Sequence, residues 1–148
     1  MNATATVPVT TPRAALALGY AGLIPFVAGA LATWVLGDEP RAAAAFALVG
    51  YGAVIVSFLG GIHWGLGFLR GDAVRFVWGV VPSLVAWPAL LLPAAAGLAL
   101  LAATLVACYA VDRRVYPAYE LQRWLPLRLH LSAVAAACCA AAAIGVGR

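Results

Sequence analysis

Charge is what this chain has least of. Only 9% of its 148 residues are charged, none is lysine, and 66% are hydrophobic; the mean hydropathy is +1.01. So little polar surface cannot clothe a soluble globule of this length, which makes the chain a polytopic membrane protein. All nine basic residues are arginine. They stand between apolar runs instead of clustering on one face with interleaved aromatics, so a nucleic-acid partner is excluded and the lipid bilayer is the partner. The lack of lysine beside abundant alanine reads as GC-rich coding bias and carries no mechanism. Long polar or Ser/Gly-rich linkers are missing, so one unit is expected. Cys108, Cys138 and Cys139 lie in apolar segments without a CxxC pair or a histidine at zinc spacing. That excludes structural zinc and makes them small buried hydrophobes. No P-loop, HExxH, Ser-His-Asp context or solenoid-length repeat is present, so no catalytic residue and no metal site is nominated, and an enzyme is not the favoured class.

What the chain does have is long uncharged runs. Residues 1–12 show no apolar periodicity and read as a disordered tail, followed by a single membrane domain over 13–148. A crossing needs about 20 apolar residues. The runs 14–36 and 42–69 each supply one. A cleavable signal peptide competes for the first run, but the run is too long for an h-region and only Arg13 precedes it. From Phe76 to Val111 there is no charge. As one helix this stretch would extend about 54 Å, against a hydrocarbon core of about 30 Å, so Pro93 is read as a turn between helices at 75–91 and 94–111. The polar stretch 112–128 alternates Tyr, Trp and Leu with charges and suits the headgroup layer. A fifth helix is expected at 129–146. The fold class is therefore all-α, a bundle of five transmembrane helices. Alternation places Arg13, Arg70, Arg75, Arg113, Arg114, Arg123 and Arg128 on one side, and Arg41 and Arg148 on the other. The positive-inside rule then puts the N-terminus in and the C-terminus out.

The second helix carries the most unusual stretch, Ser57-Phe58-Leu59-Gly60-Gly61-Ile62-His63-Trp64-Gly65. Small residues at spacing four, Ala53, Ser57, Gly61 and Gly65, predict close approach of another helix; a second row through Gly60 and His63 lies on a different face, so the second helix is expected to be central, with neighbours on both sides and Gly60 also a packing residue. An imidazole in hydrocarbon needs a partner or a task. His63 lies seven residues from Arg70, and residues at the same depth on other helices include Tyr20 and Ser83, with Asp112 closing the fourth helix. A polar cluster of Tyr20, Ser57, His63, Ser83 and Asp112 is predicted, with Trp64 and Trp78 as walls. Pro82 frees a carbonyl near Gly79 or Trp78, a partner for His63. Haem at His63 is a weaker alternative, because His130 is the sole other histidine and lies nearer the interface; otherwise no cofactor is implied.

Gly19-Tyr20-Ala21-Gly22-Leu23-Ile24-Pro25-Phe26, the SFLGGIHWG string with Tyr51-Gly52-Ala53 before it, Gly79-Val80-Val81-Pro82-Ser83 and Asp112-Arg113-Arg114 resemble the domain of unknown function 3429 family. The resemblance covers nearly the whole chain. It implies a five-helix protein of the bacterial inner membrane, with a mitochondrial transmembrane relative in animals and no assigned role, so no catalytic residue is carried over. A likeness to tryptophan-rich sensory proteins is architectural only, because their Pro-Trp-Pro-Pro-type segment is missing. The function expected is binding of a hydrophobic small molecule or a larger membrane complex through the second helix. The alternative is a proton-linked transporter or membrane enzyme using His63, whose second half a homo-oligomer would supply.

Overall fold

The computed structural model describes residues 12–148; the tail expected at 1–12 lies, apart from Pro12, outside them. Among the described residues all regular structure is helical, and five stretches are long and apolar enough to cross a membrane. The first crossing is two helices, α1 (Arg13–Ala21) and α2 (Ile24–Val35). The break follows from chemistry: Pro25 has no N–H to continue the ladder, and the Gly22 and Leu23 amides bond back to Leu18 and Tyr20 instead.

The second crossing, α3 (Asp38–Arg70), is 33 residues long. At 1.5 Å per residue that is about 50 Å, longer than the hydrocarbon core, so it projects or tilts. Asp38 and Glu39 sit at its N-terminus and Arg70 in its last turn, each complementing the helix dipole. Gly71 closes it at φ 65°, with its N–H bonded to the Gly67 carbonyl, a left-handed cap for which glycine is suited. Asp72 then caps α4 (Ala73–Leu91) by accepting the Val74 N–H at 3.0 Å. Pro82 and Pro88 stand inside α4 without ending it. After Pro93 comes α5 (Ala94–Val115). Two short 3-10 turns, Tyr116–Tyr119 and Gln122–Trp124, flank Glu120, which has a left-handed φ of 58°. The last crossing, α6 (Leu125–Val146), starts four residues before the expected 129, with Pro126 in its first turn.

α3 packs against α2, α4 and α5 around a core that includes Phe26, Leu48, Val56, Leu98, Leu101 and Leu105. In lipid, packing and not water expulsion drives such contacts. The tightest approach is backbone to backbone: a methyl added at Gly60 would collide with the Gly79 carbonyl, and one at Gly97 with the Ala89 carbonyl. This corrects the stripe expected from spacing. Gly61 and Gly65 are exposed, and a Cβ on either meets nothing within 4 Å. The α3–α4 contact runs through Gly60 instead, one residue round the helix, while Ala53 is buried.

The first and last crossings lie side by side and parallel. Tyr20 shares a 3.2 Å hydrogen bond with His130, the Trp34 indole donates to the Ala141 carbonyl at 3.0 Å, and the Arg148 guanidinium lies 4.1 Å from the Trp34 ring centre.

Candidate functional site

Three helices meet at Asp112. From α3, His63 Nε2 lies 2.9 Å from Asp112 Oδ1; from α6, Arg128 donates to Asp112 Oδ2 through Nε at 2.8 Å and Nη2 at 2.6 Å. His63 is 1% exposed and Asp112 3%. An ionised carboxylate only accepts, so the imidazole nitrogen facing it carries the proton and donates. Nδ1 is enclosed without a partner among the described residues. With a neutral imidazole the trio carries no net charge, the condition under which ionised groups persist away from water. Cys108 on α5 and Tyr116, just past its end, lie about one turn either side of Asp112, are each 3% exposed and cover the carboxylate. The Trp78 ring stands edge-on to the imidazole, at 6.2 Å between centroids.

Of the predicted cluster, the fold therefore joins His63, Asp112 and Trp78, and no more. Tyr20 is 47% exposed and turns to His130. Trp64 is 42% exposed; its indole donates to the Phe76 carbonyl and packs on Phe68 and Phe76. It seals the α3–α4 contact and does not wall His63. Ser57 and Ser83 are half-buried and take no part in the network. The carbonyl expected to bond His63 is not its partner, because the Asp112 carboxylate is the stronger acceptor. Sequence reasoning missed Arg128, counting it as a boundary charge. The available signal was its position within Leu125-Pro126-Leu127-Arg128-Leu129: an arginine flanked by leucines in the first turn of a helix has apolar neighbours on every side.

Beside this network lies a cavity of about 390 Å³ between α1, α2, α3 and α6, with Leu105 of α5 also in its wall. Leu18, Phe26, Phe58, Leu59, Leu105 and Leu131 are among its walls; Arg128 and Trp124 stand at one end, and Ser132 borders it. Ser132 is 4% exposed, with its hydroxyl unpartnered among the described residues. A second cavity of about 210 Å³ lies between α4 and α5, beside Trp78 and Cys108. Among the described residues, no group of three or more His, Cys, Asp or Glu is placed to hold a metal ion.

At the surface beside the network, Asp72 accepts from the Val74 N–H, from Arg75 Nε at 3.2 Å and from the Tyr119 hydroxyl at 3.1 Å. Desolvation pulls its pKa up, but the Tyr119 and Val74 hydrogen bonds and the Arg75 charge outweigh this and hold the carboxyl below its ordinary value.

These features define a small multi-pass membrane protein built around a buried His–Asp–Arg link. The chain belongs to the family described as Protein of unknown function (DUF3429), whose model matches residues 11–144. It is similar to transmembrane protein 69 of Xenopus tropicalis, 46% identical over 86 residues that cover 54% of this chain and 33% of that protein. Transmembrane protein 69 of Mus musculus is 34% identical over 95 residues, which cover 61% of this chain and 38% of the relative. The match thus spans little more than a third of these relatives. No solved structure gives a significant match.

Proposed function

We propose that the protein binds a hydrophobic ligand in the groove that α3 forms with the first and last crossings, without catalysing a reaction. The observation that carries this reading is the groove itself: about 390 Å³ of apolar-walled space, within the roughly 300–1,000 Å³ typical of ligand sites. The buried network supports it from behind by fixing α3, α5 and α6 relative to one another. The excess of arginine at one end supports an orientation with the N-terminus on the cytoplasmic side of a bacterial inner membrane. The test is native mass spectrometry of the purified chain. Wild type should carry a hydrophobic adduct, and Ile55→Trp, which fills the groove from α3, should lose it. A folded wild type with no adduct would sink the reading.

A second reading, proton-linked transport or membrane catalysis through His63, rests on the enclosed, unpartnered Nδ1 next to an ion pair. It predicts a pH-dependent proton flux in vesicles that His63→Gln abolishes while the fold survives. Haem at His63 is not proposed, because Nε2 is engaged by Asp112 and Nδ1 is enclosed.

A further inference from the structure

Two measures of the groove describe its occupant. The first is length. Its wall on the first crossing runs from Ala15 to Phe26, and on the last from Trp124, just before α6, to Ala135. Eleven helical steps cover about 16 Å, close to half of a hydrocarbon core of about 30 Å. The groove is one leaflet deep. The second is charge. The parallel pairing of Tyr20 with His130 brings the start of α1, with exposed Arg13, level with the start of α6. Arg128 borders the groove at that end, and Trp124 marks the interfacial level there. Arg70, Arg75, Arg113, Arg114 and Arg123 belong to the same end, against only Asp72, Asp112 and Glu120. At the opposite end Arg41 and Arg148 are matched by Asp38 and Glu39.

We propose that the occupant is an anionic phospholipid of the leaflet on the arginine-rich side, with one acyl chain in the groove and its phosphate at the Arg13 end. This rests on the hydrophobic-ligand reading and names the ligand's class. Wall length fits a single chain descending from the interface, and the excess of arginine selects the headgroup. Arg128 has five N–H donors; two bond Asp112 and another reaches the Tyr116 hydroxyl, which leaves donors for a phosphate oxygen.

The test uses the full chain in detergent, with equal dioleoylphosphatidylglycerol and dioleoylphosphatidylcholine, read by native mass spectrometry. One phosphatidylglycerol per chain should be retained about fivefold over phosphatidylcholine, the preference that one interfacial arginine supplies. Arg13→Gln should bring the ratio towards one with helicity unchanged. Lyso-phosphatidylglycerol, which has one chain, should displace the bound lipid from wild type, a check that needs no variant. Retention of both lipids without preference overturns the headgroup assignment and leaves the hydrophobic-ligand reading standing. Preference for phosphatidylglycerol that lyso-lipid does not compete away places the lipid outside the groove and overturns the proposal. A lipid-free chain defeats the underlying reading as well, and a lipid-free dimer puts a second copy on this face.

Discussion

Asp112 is the residue on which three helices depend, and its removal would strand a guanidinium. Asp112→Ala leaves Arg128, whose side chain is 11% exposed, without its counter-charge. Breaking one partner of a buried pair costs about 3–5 kcal/mol, whereas replacing all members by apolar groups is often neutral. Equilibrium unfolding in detergent should therefore show a loss of about 3 kcal/mol for Asp112→Ala. The triple change His63→Leu, Asp112→Leu, Arg128→Leu should lose less. An equal or greater loss in the triple variant would mean that the network contributes more to the fold than packing can replace. Asp72 offers a different test. Its carboxyl is held below its ordinary value, so its stabilising effect is complete above about pH 3.9 and fades as pH falls through the lowered pKa. Asp72→Asn should be less stable than wild type at pH 7, and the gap should close in an acid titration below about pH 3.9.

At the scale of elements, α3 carries the argument through a difference of one residue. Gly60→Leu drives a side chain into the Gly79 carbonyl and should prevent α3 and α4 from meeting, costing upwards of about 2 kcal/mol. Gly61→Leu points into open space and should change stability by less than about 0.5 kcal/mol. Thermal unfolding of the two variants side by side separates them; equal losses would refute the Gly60 contact. Five crossings were legible because apolar run length is a direct read-out of membrane thickness, and Pro93 marks a turn that any helix must respect. The contact face was legible only in part: Gly60 was expected to pack and does, whereas Gly61 and Gly65 were expected to and meet nothing within 4 Å. Spacing four recurs on more than one face of α3, and nothing local says which row meets a partner. His63 and Asp112 were legible as members of one inner-half polar cluster, but their direct pairing was not: the partner expected for His63 was a carbonyl near Gly79 or Trp78, and the structure gives Asp112. Arg128 was lost because it was assigned to the headgroup layer, while the 3-10 turns at Tyr116–Tyr119 and Gln122–Trp124 return the chain so that α6 begins early and carries it inward.

For the molecule as a whole, charge is distributed by end and not by face. The end holding Arg13, Arg70, Arg75, Arg113, Arg114, Arg123 and Arg128 should stay in the cytoplasm. A phosphatase reporter, active only outside the cytoplasm, should be silent when fused at the N-terminus or inserted after Gly71. It should be active when inserted after Gly37 or placed after Arg148. The reverse pattern would invert the bundle and move the groove to the other leaflet.

The parallel pairing of the first and last crossings also sets an order of events during synthesis. α1 has no buried residue of its own, and it leans on α6 through Gly19 against Leu127 and Leu131. The ribosome finishes α6 only after the other four crossings have been made, so α1 waits in lipid without its partner until then. The groove is therefore absent until α6 has been made, and its closure follows the insertion of α6.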